Sequence, residues 1–169
     1  MTDCTPSKID FPRCCGRSVE ADFLGGDISS NGGAPLLGLA DRRLGLLSGL
    51  SRRLSDPRQA GKVEHGLLPL LRQRVYGLAL GYEDVNDHDA LRDDLALQTA
   101  VDRDAPLASA PSLCRFENRA EPWWAWLIHQ VLLEVFIHSF ETPPEEIVLD
   151  IDATDDAVHG RQEGRFFHG

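Results

Sequence analysis

The last quarter of the chain constrains its fold most. A long apolar segment from Trp123 to Phe140 is followed by Pro143-Pro144 and the run Ile147-Val148-Leu149-Asp150-Ile151-Asp152, and the sequence stops at Gly169. The long segment predicts a helix and the run predicts a strand. Strand side chains alternate between faces, so Ile147, Leu149 and Ile151 share one face while Val148, Asp150 and Asp152 share the other. Two carboxylates on one face repel unless a cation or a basic partner lies between them. Mg²⁺ takes one or two protein carboxylates with water and phosphate oxygens, and a pair of such ions can clamp both oxygens of a phosphoryl displacement. The pattern fits a metal corner. It equally fits a solvated sheet edge, with Asp155 and Asp156 as turn residues.

The segment Trp123 to Phe140 is interrupted by His129, Gln130, Glu134 and His138. It falls short of the roughly eighteen uninterrupted apolar residues a membrane span needs, and reads as a buried or amphipathic helix. The N-terminus has neither a basic start nor an apolar core of a signal peptide, from which a cytoplasmic location is expected. Residues 1–18 are read as a flexible N-terminus. Val19–Leu24 and Asp27–Ser30 are expected to form a short hairpin around Gly25-Gly26, with Asn31-Gly32-Gly33 as the exit turn.

Leucines at 36, 39, 44, 47, 50 and 54 recur at steps of three to five, as one helix or as two short helices broken near Gly45 to Gly49. Residues 63–81 predict a helix in which Pro69 marks a kink or a first turn. Asp89 to Val101 predicts a helix capped by Asp89, residues 102–111 a loop, and Ser112 the start of a further helix. In that helix, packing through Leu113 and Phe116 is the preferred reading over a DNA-facing role for Arg115 and Arg119. The Trp123-Trp124-Ala125-Trp126 cluster is read as core or interface.

Charge is divided unevenly. Residues 1–75 hold eleven Lys or Arg against eight Asp or Glu, whereas residues 76–169 hold six against nineteen, within an overall formal charge of −10. Phosphate affinity comes mainly from cations that displace counterions, so any nucleic-acid contact should be local and N-terminal. The best patch is Arg42, Arg43, Arg52 and Arg53, off the leucine stripe, extended by Arg72 and Arg74; a solvated face on an ordinary amphipathic helix explains the same residues. Cys4, Cys14, Cys15 and Cys114 lack the paired Cys-x-x-Cys spacing of zinc sites and are read as reduced thiols. His129 and His138, nine residues apart, fall on opposite helix faces. Neither Gly-Gly pair belongs to a phosphate-binding loop with its lysine.

The runs Val19 to Gly26, Asp41 to Leu46, Leu71 to Asp84 with Asn86-Asp87, Ser112 to Asn118, and Leu149 to Asp156 through His159-Gly160, Gln162-Glu163 and Phe167-His168-Gly169 resemble, in that order, one family. They are similar to the N-terminal part of a bacterial insertion-sequence transposase of the DDE type, in the IS thirteen-eighty group. The resemblance implies cut-and-paste transposition on an RNase H-like core, with two Asp and one Glu holding Mg²⁺ or Mn²⁺. It matches the first Asp to Asp152, followed by Ala153-Thr154, with Asp150 in reserve as a ligand. The second Asp and the Glu of the family lie downstream of the Phe167-His168-Gly169 motif. The expected partners are DNA, as transposon terminal inverted repeats, and a transposase homo-oligomer, with no membrane.

The expectation is therefore an α+β, mostly helical chain. A hairpin and a helical, DNA-binding region occupy residues 19–142, and residues 143–169 begin an incomplete RNase H-like core. A truncated or frameshifted copy, inactive alone and without tightly bound metal, is the expected form. The alternative is a non-catalytic DNA-binding or interaction protein that modulates a full-length transposase.

Overall fold

The computed structural model describes residues 8–21 and 31–151. The chain divides into two compact units, Met1–Ser139 and Phe140–Gly169. The first is mostly helical with one small sheet, an α+β arrangement. Strands β1 (Ile9–Cys14) and β2 (Arg17–Ala21) form an antiparallel hairpin that pairs Ile9 with Ala21, Asp10 with Glu20 and Phe11 with Val19. The register slips between Phe11 and Cys14, where Pro12 has no N–H to give to a ladder. The hairpin thus lies one strand upstream of its expected place: Val19 to Ala21 are extended, but they pair with residues assigned to a flexible end. The expected second strand, Asp27–Ser30, lies outside the described residues. Asn31-Gly32-Gly33 forms the anticipated turn, with buried Asn31 donating to Asp94 at 2.8 Å and accepting from the Tyr82 hydroxyl at 2.8 Å.

Helices α1 (Ala34–Leu44) and α2 (Leu46–Arg53) take up the leucine stripe and break at Gly45, whose φ of 66° is left-handed, a conformation open to glycine without steric cost. A single 3₁₀ turn at Ala60–Lys62 precedes α3 (Leu67–Ala79). Pro69 lies in the first turn of α3, where a missing N–H loses no intrahelical bond. The single helix expected from Asp89 to Val101 is two: α4 (Asp87–Leu91) and α5 (Leu95–Val101). The cap is Asp94, whose carboxylate accepts from Leu97 N at 2.7 Å, while Asp89 accepts from Ala110 N at 2.8 Å, at the start of the next helix. That helix, α6 (Ala110–Glu117), begins at Ser109 with Pro111 in its first turn, three residues before the expected Ser112.

Helix α7 (Pro122–His138) completes the unit. Two apolar clusters hold these elements together. One joins Ala34, Leu47, Tyr76, Leu97 and Leu107; the other joins Leu50, Leu70, Leu113, Phe116 and Val131. Gly38 permits a close approach of α1 to α5, since a Cβ there would meet the Ala100 carbonyl oxygen at 2.8 Å. Among the described residues no helix is long and apolar enough to cross a membrane.

In the second unit, Phe140–Ile151 are exposed and carry no strand. The strand expected at residues 147–152 is not formed over its described part. No neighbouring strand pairs with it there, and a strand depends on the ladder a partner supplies.

Candidate nucleic-acid interface

The six arginines nominated by sequence separate into structural and exposed members. Arg72 is buried in α3, and its Nε donates to Asp41 at 3.0 Å. Asp41 also accepts from the Tyr76 hydroxyl at 3.0 Å and from Leu47 N at 2.8 Å. Burial, followed by the Asp41 charge, raises the Tyr76 phenol well above its usual range, so the hydroxyl stays a donor. This knot ties α1, α2 and α3, and Arg72 has no surface to offer a phosphate. Arg74 pairs with Glu117 and donates to the carbonyls of Tyr82 and Glu83. Arg53 pairs with Glu134 of α7 at 2.5 Å. Arg42 is half-buried, with its Nε enclosed and lacking a hydrogen-bond partner. Arg43 and Arg52 are exposed and form no ion pair within the described residues, leaving them as the two nominated residues best placed to meet an anion.

A second basic surface has no counterpart in the linear pattern. A cleft of about 460 Å³ is lined by Arg58, Lys62 and His65 from one segment and by Ser112, Arg115 and Arg119 from another. Arg58 and Arg119 also line an adjoining cleft of about 470 Å³, walled by Phe116, Trp123 and Trp124. Arg58 is fixed by two bonds to Asp56, at 2.7 and 2.6 Å, and by the His65 carbonyl at 2.9 Å. That pairing holds the Asp56 carboxyl below the usual carboxylate range and raises the guanidinium.

Arg115 donates to Ser112 Oγ at 3.1 Å, and Arg119 is exposed. Burial, with help from Arg103, lowers His65 below its usual value. The imidazole is therefore neutral at pH 7 despite Glu64 at 3.7 Å, because the desolvation cost outweighs an exposed carboxylate. Lys62, Arg115 and Arg119 are left to give the cleft its positive sign against exposed Glu64. On α6 and the turn that follows it, packing and charge coexist: Leu113 and Phe116 are buried while Arg115 on the helix and Arg119 in the turn face out. The four-residue spacing of those arginines was the available signal. What sequence could not supply was the folding-back of residues 58–65 beside them.

The carboxylate end of the chain is less complete. Asp150 is exposed, in a stretch without a ladder, and Asp152 lies outside the described residues. A single exposed carboxylate does not make the oxygen cage that a catalytic divalent ion requires, so the described residues do not fit such an ion. Among the described residues the only group of three potential metal donors is elsewhere: Cys14, Cys15 and Asp102. Cys14 Sγ lies 2.8 Å from Asp102 Oδ1 and 3.0 Å from the Thr99 carbonyl, and Cys15 Sγ lies 3.7 Å from the same carboxylate oxygen. Burial, reinforced by Asp102, pushes the Cys14 thiol up to about 12. Cys14, Cys15 and Cys114 are free thiols, as the sequence suggested, but the first two are not isolated from other donors.

The Trp cluster divides as well. Phe116 and Trp124 rings lie 6.0 Å apart, and Trp124 packs on the second apolar cluster. Trp123 and Trp126 are exposed. The remainder of α7 buries only Val131, leaving Leu132, Leu133, Phe136 and Ile137 open to solvent, more than a buried or simply amphipathic helix would expose. No curated protein and no solved structure matches the chain. The family model described as "Transposase DDE domain group 1" matches residues 11–169.

Proposed function

Because the chain belongs to the group 1 family of transposase DDE domains, a class that generally works with divalent metal ions, we propose that it serves DNA transposition by holding transposon ends on its helical unit. The observation that carries this reading is the cleft to which Lys62, Arg115 and Arg119 give a positive sign, in a chain of net charge −10. Cations gathered in one concavity against an acidic background focus the field on a phosphate backbone. Arg43 and Arg52 extend the contact. Arg53 and Arg74 serve first as clamps between helices, and Arg72 as a core ion pair. Backbone contacts of this type set register and orientation and do not read sequence; the ligand is terminal inverted-repeat DNA, held by a homo-oligomer.

In this proposal the chain is a member of the IS thirteen-eighty group, with an RNase H-like core begun by residues 143–169. Asp152 is the first of its three carboxylates, Asp150 is a neighbouring ligand in reserve, and Mg²⁺ or Mn²⁺ is the metal. The alternative role, a non-catalytic modulator of a full-length transposase, uses the same surface.

Electrophoretic mobility shift with duplexes taken from the ends of the encoding element tests the proposal. Retention of those duplexes, weakened by Arg115→Ala with Arg119→Ala and unaffected by Arg13→Ala on the hairpin, is the expected result. Equal retention by all three proteins would remove the cleft from the account.

A further inference from the structure

We infer that Cys14, Cys15 and Asp102 form a binding site for a thiophilic divalent cation of the Zn²⁺ or Cd²⁺ class, fastening the β1–β2 hairpin to the C-terminal end of α5. The three donor atoms lie within 4.8 Å of one another. In a tetrahedral zinc site, ligand atoms about 2.0–2.3 Å from the metal stand roughly 3.5–3.8 Å apart. The Cys15–Asp102 separation of 3.7 Å already matches, and the Cys14–Asp102 separation of 2.8 Å needs to open by less than about 1 Å.

Two further features mark the cluster. Cys15, with φ of 47°, and Asp102, with φ of 72°, are the non-glycine residues with left-handed backbone among those described. Both have local causes that hold the donors in place: Cys15 and Gly16, at φ of 77°, make the two-residue turn of the hairpin, and Asp102 is the left-handed C-cap of α5. The Thr99 carbonyl of the last turn of α5 also lies 3.0 Å from Cys14 Sγ, adding an oxygen dipole favourable to a cation. Three protein ligands leave a fourth position to water.

Thiolates favour zinc-type ions over Mg²⁺, so this site is separate from the oxygen-ligated ions of the proposed strand chemistry. On loading, the two S–H protons pass to solvent and two S–metal bonds form. No electron is transferred. The spacing rule that argued against metal missed the site because its third ligand is contributed by α5, far along the chain.

The test is titration of the reduced, chelator-treated full chain with Co²⁺, followed by displacement with Zn²⁺. The expected result is one equivalent of bound Co²⁺, showing thiolate-to-metal charge transfer and intense tetrahedral d–d bands, bleached by Zn²⁺. A Tm rise of about 5–10 °C is expected at a hundredfold excess of Zn²⁺ over Kd. Cys15→Ser and Asp102→Asn should each lower affinity at least tenfold while keeping the wild-type circular dichroism. Asn tolerates the left-handed backbone, and Cys15 is exposed, so both variants fold. Cys114→Ser should change nothing. Absence of the bands, bands unaltered in Cys15→Ser and Asp102→Asn, or loss confined to Cys114→Ser would each overturn the site.

Discussion

Asp41 is the residue on which the helical unit turns. Its two carboxylate oxygens satisfy the Arg72 guanidinium, the Tyr76 hydroxyl and the Leu47 N–H. Asp41→Ala strands all three and is expected to cost about 3–5 kcal/mol, read as a lower urea midpoint. Arg72→Ala should likewise reduce stability without changing the salt dependence of DNA binding, which separates a core ion pair from a phosphate contact. Gly38→Ala, directed at the Ala100 carbonyl, should cost about 1–3 kcal/mol through overpacking.

His88 gives a pH signature at the same scale. It is fully buried, and a Cβ at Gly77 would strike its ring at 2.5 Å. Its Nε2 has no partner, and burial, with Arg74 next, lowers its pKa. The unfolded chain therefore takes up the proton first as pH falls. Stability is full above the unfolded value of about 6.5 and declines below it toward the folded pKa, by at most about 1.4 kcal/mol per pH unit. Urea midpoints between pH 5 and 7 should slope upward with pH, and His88→Gln should flatten the slope. An unchanged slope in that variant would place the titration elsewhere.

At the scale of elements, local chemistry was readable wherever it sufficed. Gly45 broke the leucine stripe because left-handed backbone needs glycine, and Pro69 fell in a first turn because only there is its missing donor harmless. Leu113 and Phe116 turned inward at the spacing of one helix face. Long-range partners defeated the reading. Asp89 resembles a cap, yet its carboxylate goes to Ala110 N, and Asp94 caps α5. Asp94→Ala should cost about 1 kcal/mol. The strand expected at residues 147–152 has the right alternation, but alternation cannot supply a neighbour to pair with.

Helix α7 departs in the same way. Val131 is 4 % exposed while Trp126 is 62 % and Ile137 63 % exposed, so apolar composition did not translate into burial. Val131→Ala should cost about 2 kcal/mol, whereas Trp126→Ser and Ile137→Ser should alter stability by less than about 0.5 kcal/mol. An exposed apolar face favours association, so light scattering should record less self-association in the two Ser variants.

Over the whole molecule, the division of charge in the sequence pointed to the N-terminal part, whereas the basic cleft also draws Arg115 and Arg119 from the acidic part beyond residue 75. Of the nominated arginines, three are taken up by ion pairs with Asp41, Glu117 and Glu134. The cationic concavity instead joins Lys62 to Arg115 and Arg119 beside the Arg58–Asp56 pair, a meeting that no linear pattern announces. Family membership was legible in the order of the motifs, while Asp152, the residue with the most direct chemical meaning, lies outside the described residues. The most direct test of the central claim is fluorescence anisotropy of labelled duplex DNA from the ends of the encoding element, titrated with the 169-residue chain from about 50 to 200 mM salt. The account predicts that log K falls linearly with log salt, and that Arg115→Ala with Arg119→Ala weakens binding and makes the slope shallower by about 0.9 for each phosphate no longer neutralised; no binding at the lowest salt, or the same affinity and slope in the double variant, would contradict it.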